Sequence, residues 1–449
     1  MVTLNHRFVR TFRRTTPSAP VLALINASLQ AFSDLLFSPY LLATLIYLLG
    51  GSNWKIGLPL VISGAAWALS VPVRSVLARI SPPGRYLATV SGVIRTGAAA
   101  LIAWLGYFAD DIDAPRMIDL LLMCFAVYAV SSAFNLTTTR GLIAASTPAI
   151  RAGSLFAMQR VFGGAASVLA GIVAIYALRS QELDFYKNIG VLYLLGAVGV
   201  AAATWFQFMT TVAATRSINQ QTSDRSNILQ TVTNPAVRRL LGFRFLIGLA
   251  TLADPFLLVF GLQELGFNIF YIGAAITLYA AGQLAAALVG PNWVSHRGPR
   301  GTLLTASICR MLSIVLALTI PPLSRTTAYT DRFDTNWQAT LLFVGAFALL
   351  GASAYLQAVG SQRYIYDVVP ASNRLSTISL ANLVLAISAA APLLGSYLIE
   401  QYDLETLLIV ATSLAFVGVA SGGLLFDPST RAIRKQGAWR QRRTTRRTT

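Results

Sequence analysis

Two stretches of the chain, Ser38-Pro39-Tyr40-Leu41-Leu42 and Asp254-Pro255-Phe256-Leu257-Leu258, resemble each other closely. They lie 216 residues apart, and the same separation relates Ile56-Gly57 to Ile272-Gly273. An array of short repeats would recur many times, whereas this period fits only twice into 449 residues. The pattern therefore indicates a duplicated half-protein.

The composition is that of a chain built for lipid. Hydrophobic residues make up 55% of it and charged residues 12%, whereas soluble domains carry roughly 25% charged residues. Apolar stretches near the ~20 residues that a bilayer requires recur along the whole length. They predict an all-α membrane protein with twelve transmembrane helices in two pseudo-symmetric six-helix bundles. The predicted spans are 21–47, 56–78, 87–107, 117–139, 152–178, 187–211, 241–262, 269–294, 302–322, 338–361, 375–399 and 405–426.

These spans divide the chain into five regions. We expect an N-terminal segment at 1–20, a first bundle at 21–212, a linker at 213–240, a second bundle at 241–426 and a basic tail at 427–449. The first apolar stretch is too long for a signal peptide and lacks an obvious cleavage site, so it is interpreted as the first membrane helix.

The net charge of +18 is not distributed as nucleic-acid binding would require. If the predicted loops are assigned alternately to the two sides, one side holds 25 basic residues and the other 6. The positive-inside rule then places both termini in the cytoplasm. Contact with anionic lipids is the expected role of the basic tail. The short loops and termini fit a bacterial cytoplasmic membrane, the cell inner membrane.

No motif of a soluble enzyme occurs in the sequence, and no cofactor is predicted. HExxH, CxxC, GxSxG and P-loop patterns are missing. Cys124 and Cys309 lie within predicted helices and support neither a disulfide framework nor a metal site.

The architecture resembles the major facilitator superfamily, whose members have a six-plus-six helix duplication, a cytoplasmic linker and cytoplasmic termini. The loop after the second predicted helix ends in Gly84-Arg85, like the Gly-x-x-x-Asp-Arg-x-Gly-Arg-Arg loop of that family. His296-Arg297-Gly298-Pro299-Arg300-Gly301 is its counterpart in the second half. Neither loop carries the family's aspartate. The resemblance implies transport of a small solute by alternating access.

Five charged residues stand out near the middle of the predicted spans, where charges usually face a cavity or a partner. They are Asp34, Arg95, Arg160, Asp254 and Arg310. Asp254 precedes a proline, and a carboxylate beside a helix break is typical of a coupling-ion or substrate site. Asp34 lies one turn before the equivalent break. The alternative is that each aspartate neutralises a buried arginine and fixes helix packing.

The three arginines receive different predictions. Arg160 either binds an anionic group of the solute or pairs with Asp34, which lies at a similar depth. Arg95 and Arg310 occupy equivalent positions of the repeat, on helices that the resemblance assigns to the scaffold. They are predicted to have a structural or gating role.

The remaining candidates are weaker. Arg140 and Arg363 end the fourth and tenth predicted helices, where they either anchor the positive side or form a gate with Asp367 as the available acid. Uncharged polar residues on candidate cavity helices are substrate or coupling candidates, or else hydrogen bonds between helices. They include Gln30, Asn135, Gln357 and Asn382.

The sequence thus predicts a secondary active transporter of a small solute. Protonation of Asp34 or Asp254 would couple a proton gradient to the movement of the two halves. The alternative is a non-transporting membrane sensor or assembly factor of the same fold, which would not need five charges near the middle of its spans.

Overall fold

The computed structural model describes residues 19–77, 84–108, 112–146, 149–180, 185–214, 233–332, 337–369 and 374–426. Within these ranges all regular elements are helices. The predicted N-terminal segment, basic tail and most of the linker lie outside the described residues. The limits of the two predicted bundles therefore stay a prediction.

Fifteen α-helices and one 3₁₀ helix follow one another in these ranges. In chain order they are α1 Ala19–Leu36, α2 Pro39–Leu48, α3 Asn53–Leu77, α4 Gly84–Tyr107, α5 Ala114–Ser146, α6 Ala149–Arg179, α7 Phe185–Ala214, α8 Pro235–Leu249, the 3₁₀ helix Ala250–Phe256, α9 Leu257–Leu265, α10 Phe270–Ser324, α11 Thr327–Thr330, α12 Trp337–Val368, α13 Arg374–Ser388, α14 Ala391–Gln401 and α15 Leu404–Gly423.

These helices form the predicted twelve spans. Ten helical stretches of the described residues are long and apolar enough to cross a membrane. The stretch Phe270–Ser324 contains two spans, because Gly298 adopts φ 67° and ψ 175° and breaks the helix into two arms. The 25-residue helix Asn53–Leu77 supplies the twelfth.

The spans are numbered along the chain. The first consists of α1 and α2, and the second to sixth are α3 to α7. The seventh consists of α8, the 3₁₀ helix and α9, and the eighth and ninth are the two arms of α10. The tenth is α12, the eleventh is α13 with α14, and the twelfth is α15. We call the side where the first span begins the near side, which the sequence predicts to be cytoplasmic, and the opposite side the far side.

The first and seventh spans are interrupted at the two equivalent prolines of the repeat. Ser38 caps α2 by accepting a hydrogen bond from the Leu41 amide at 3.3 Å, and Pro39 stands in the first turn, where its missing N–H leaves no bond unmade. The second interruption is longer, because the seven residues Ala250–Phe256 around Pro255 form a 3₁₀ helix.

The outer surface of the spans suits a lipid environment. Large apolar side chains point outward, with exposed fractions of 61% for Val93, 67% for Met123 and 61% for Val198. Water would disfavour such a surface, whereas acyl chains solvate it. The chain is accordingly a multi-pass membrane protein.

Glycines bring the two halves close together on the far side. A Cβ atom on Gly171 of the fifth span would lie 2.7 Å from the Cα atom of Thr277 in the eighth. Near the second and eleventh spans, the Ser396 hydroxyl donates to the Asn53 carbonyl at 3.0 Å. A side chain at Gly171 would push the two halves apart, so the close packing on the far side depends on this glycine.

Candidate functional site

The break in the seventh span positions a buried ion pair. Asp254 is 3% exposed in the 3₁₀ helix, and Arg310 of the ninth span is 4% exposed. The Arg310 guanidinium donates to the Asp254 carboxylate and, at 3.4 Å, to the carbonyl of Ala250. Because a buried charge is costly unless it is paired, these two residues compensate each other. Asp254 thus has the contact that its structural alternative requires, an ion pair with a buried arginine.

Asp254 also contacts the other half of the protein. The hydroxyl of Tyr40, on α2 of the first span, donates to the second carboxylate oxygen of Asp254 at 3.2 Å. The Tyr40 ring packs against Tyr279 of the eighth span, with ring centroids 5.5 Å apart. Asp254 therefore joins Arg310 in its own half to Tyr40 in the first half.

A second hydrogen bond crosses between the halves nearby. The side-chain amide of Gln263 donates to the Tyr47 hydroxyl at 3.2 Å, and these residues are 216 positions apart. They are therefore equivalent in the repeat. Equivalent residues of two halves touch each other only near the pseudo-two-fold axis that relates the halves. We call Tyr40, Tyr47, Asp254 and Gln263 the far-side latch.

Asp34 forms the corresponding ion pair within the first half. Arg95 donates to Asp34 at 2.5 Å, and the Tyr128 hydroxyl donates to the same carboxylate oxygen at 3.0 Å. The Arg95 side chain is only 3% exposed, whereas that of Asp34 is 50% exposed. Of the two alternatives for Arg160, the pair with Asp34 is not formed, because Arg95 and Tyr128 occupy the Asp34 carboxylate instead.

Arg160 reaches across to the second half. Its guanidinium donates to the Gln362 side chain at 3.4 Å and lies 5.6 Å from the centre of the Tyr355 ring, both on the tenth span. Arg160 lies about three turns into α6, near the level where the tenth span carries these two residues. Its side chain is exposed in the cleft between the fifth and tenth spans.

The uncharged candidates fall into two groups. Gln30 donates to Asn135 at 3.0 Å, and Asn135 donates to the Ala88 carbonyl at 3.0 Å, so both are buried in packing hydrogen bonds of the first half. Gln357 and Asn382 are half-buried and make no side-chain hydrogen bond within the described part of the chain. Only the second group has donors and acceptors available for a solute.

The two near-side arginines are placed differently. Arg363 pairs with Asp367 one turn later on the same helix, at 3.0 Å. This is the predicted partner, but the bond stays within one helix. The side chain of Arg140 lies outside the described residues.

The sequence analysis missed two hydroxyl groups and one arginine. Tyr40 donates a hydrogen bond to Asp254, and Tyr128 donates one to Asp34. The repeat has Phe256 at the position equivalent to Tyr40, and this difference could have drawn attention to the Tyr40 hydroxyl. Arg244 went unnoticed because the predicted start of the seventh span at 241 put it at the very edge of the span, whereas the helix begins at Pro235. Asn234 followed by a proline is a helix-start signature that would have placed Arg244 more than two turns into the span.

The cysteines and acidic residues form no metal site among the described residues. Cys124 and Cys309 are half-buried free thiols on separate spans.

Comparison with known proteins identifies relatives of this arrangement. Residues 240–448 match the model of the Major Facilitator Superfamily. No curated protein sequence matches the chain. The solved structure of the nucleoside transporter NupG is 14% identical, with a TM-score of 0.66, and the match covers 92% of this chain and 100% of NupG.

A bacterial homologue of the iron transporter ferroportin is similar in two conformations. Its inward-facing structure has a TM-score of 0.68 at 14% identity, covering 90% of this chain and 97% of the homologue. Its outward-facing structure has a TM-score of 0.57 at 14% identity, covering 90% of this chain and 98% of the homologue. At such low identity, the likeness concerns the fold.

Proposed function

Because this chain belongs to the major facilitator superfamily, we propose that it is a secondary active transporter that moves a small solute by alternating access and couples the movement to protons. Membrane transport is the general activity of the family and of the similar solved structures, which are transporters rather than enzymes. The solute and the coupling are the parts that this proposal adds.

The observation that carries the proposal is the double contact of Asp254. As a carboxylate it accepts hydrogen bonds from Arg310 in its own half and from Tyr40 in the other half. Protonation would remove the charge that Arg310 compensates and would leave Tyr40 with a weaker acceptor. Proton binding at Asp254 would therefore loosen the far-side latch and favour opening of the far side.

The overall conformation supports this direction of change. The far-side latch is closed, and the chain is more similar to the inward-facing than to the outward-facing ferroportin homologue, with TM-scores of 0.68 and 0.57. If protonation of Asp254 opens the far-side latch, Asp254 is charged in the state in which the latch is closed. Reopening would then follow proton uptake from the far side.

Asp34 is the second candidate for proton coupling. Its partners Arg95 and Tyr128 both belong to the first half, so its protonation would change no bond between the halves. Its half-exposed carboxylate is nevertheless the more accessible of the two. The experiment must therefore distinguish the effect of protonating Asp254 from that of protonating Asp34.

The orientation is also part of the proposal. The described near-side residues include Arg297, Arg300, Arg363 and Arg374, as the positive-inside rule requires of a cytoplasmic face. The near side and both termini are accordingly assigned to the cytoplasm, with the basic tail against anionic lipids.

The test measures latch opening without requiring a known solute. Spin labels at Ser52 and Ala328, both exposed on the far side, report the distance between the halves in lipid nanodiscs. In acidic buffer the wild type should populate a longer distance than in alkaline buffer. Asp254→Asn should show the longer distance in both buffers, whereas Asp113→Asn, a far-side surface control whose side chain is 74% exposed, should respond like the wild type.

Two outcomes would change the proposal. If Asp34→Asn loses the pH response while Asp254→Asn keeps it, the coupling site moves to Asp34. If neither variant alters the response, or if the wild type does not respond, proton coupling through these carboxylates is refuted.

A further inference from the structure

The charges within the spans do not balance. Arg95 and Arg310 each pair with an aspartate, Asp34 and Asp254 respectively. Arg160 forms no ion pair with a carboxylate anywhere in the described ranges. A guanidinium stays charged, and a charge at this depth is costly unless water or an anion compensates it.

The surroundings of Arg160 leave most of its donors available. A guanidinium has five N–H donors, and here a single hydrogen bond is made, to Gln362 at the long distance of 3.4 Å. The ring of Tyr355 lies beside it at 5.6 Å and provides a flat surface. The side chain is exposed between two spans that belong to different halves, so a solute in the cleft can reach it.

Arg244 provides a useful contrast. It also lacks a carboxylate partner among the described residues, and its Nε atom is buried without a hydrogen bond. Its neighbours in the helix pack within the second half, Phe243 near Gly422 and Gly248 near Ser388. At 100° per residue the Arg244 side chain projects between these two directions and away from the first half.

We propose that Arg160 is the anion-binding residue of the transport site, and that the transported solute carries a carboxylate or phosphate group. The inference rests on the proposed transport function. The planar fork of a guanidinium matches both groups through two parallel hydrogen bonds. The anion would supply the missing counter-charge and replace the long bond to Gln362.

This location also links binding to movement. An anion held by Arg160 in the first half would lie against Tyr355 and Gln362 in the second half. A ligand that touches both halves binds best when they are close on the near side, so it favours near-side closure. The solute and the latch would then act on opposite sides of the same cleft.

The experiment compares anions with their neutral counterparts. Thermal unfolding of the full-length protein in detergent is followed with benzoate, succinate, glycerol 3-phosphate and inorganic phosphate, and with benzamide, succinamide and glycerol. At least one anion should raise the unfolding temperature while its neutral counterpart does not. The carboxylates and the phosphates form separate arms and identify which group the site prefers.

Variants of the two unpaired arginines complete the test. Arg160→Gln should weaken the apparent affinity for that anion on the order of 30-fold, Arg160→Lys should retain part of it, and Arg244→Gln should leave it unchanged. An equal response in Arg160→Gln, or no response to any anion, would overturn the proposal. Transport itself is judged separately, because the pH response of the latch does not depend on Arg160.

Discussion

The hydroxyl of Tyr40 donates to the carboxylate of Asp254 at 3.2 Å across the two halves of the protein. Each partner stands at a position where the repeat is not conserved between the halves: the counterpart of Tyr40 is Phe256, and that of Asp254 is Ser38. The symmetry-related bond therefore cannot form, because Phe256 has no hydroxyl. The duplication places the two positions near the axis, and the two mismatches allow a charged hydrogen bond to form across it.

Removal of the Tyr40 hydroxyl should favour opening of the far side. In Tyr40→Phe the ring can still pack against Tyr279, but Asp254 loses its donor from the first half. A hydrogen bond to a charged group contributes about 1.5–3 kcal/mol, so the ratio of far-side-open to closed molecules should rise by about tenfold or more. The distance between labels at Ser52 and Ala328 measures this ratio.

A matched control keeps this result specific. Tyr176 is 70% exposed on the fifth span, and Tyr176→Phe removes a hydroxyl without touching the latch. An unchanged distance distribution in Tyr40→Phe would mean that the bond does not hold the far side closed.

Close packing of Gly171 against Thr277 should also hold the far side closed. In Gly171→Ala the new Cβ atom would meet the Thr277 Cα atom at 2.7 Å, which no rotation of the threonine side chain relieves. We expect a shift to the far-side-open state in the same label measurement. Gly97→Ala is the control, because its Cβ atom would meet nothing within 4 Å and alanine is favoured over glycine in a helix. Closure that survives Gly171→Ala would show that this contact is dispensable.

The sequence predicted the architecture well because its signal is repeated. Apolar length, loop charge and the 216-residue period all point to twelve spans, and the structure confirms them. The start of the seventh span was placed at 241 instead of Pro235 because Arg238 and Arg239 lower the local hydropathy. Hydropathy reports how apolar a stretch is, whereas the start of this helix is set by the cap at Asn234.

The pairing of charges could not be predicted in the same way. Depth along a helix gives height in the membrane but not direction, so Arg160 and Arg95 were both acceptable partners of Asp34. The rotation of each span decides between them, and rotation depends on packing contacts such as Gly199 with Ser33. The 3₁₀ helix adds a further difference, because its three residues per turn rotate α8 relative to α9 in a way that α1 and α2 do not share.

The two ion pairs should contribute unequally to stability. Arg310→Gln leaves the Asp254 side chain, 4% exposed, as a buried carboxylate without a counter-charge, and loss of one partner of a buried pair costs about 3–5 kcal/mol. Arg95→Gln leaves Asp34, which water can still reach because it is 50% exposed. Thermal unfolding should therefore show a larger decrease for Arg310→Gln than for Arg95→Gln.

A double variant tests the cause of that difference. Asp254→Asn combined with Arg310→Gln removes both buried charges, so it should unfold at a higher temperature than Arg310→Gln alone. If the double variant is no more stable, the loss comes from packing rather than from the unpaired carboxylate.

The assignment of the near side to the cytoplasm can be tested with single cysteines in whole cells. The background replaces the native thiols by Cys124→Ala and Cys309→Ala. Ser52→Cys, exposed on the far side, should react with a membrane-impermeant maleimide in intact cells. His296→Cys, exposed between the eighth and ninth spans on the near side, should react only after the membrane is permeabilised.

The physical reason is that arginines are concentrated on the near side, and loops rich in arginine resist translocation across the membrane. The reverse labelling pattern would place the far-side latch at the cytoplasmic face, and a proton from outside could then no longer reach Asp254 through the opened latch.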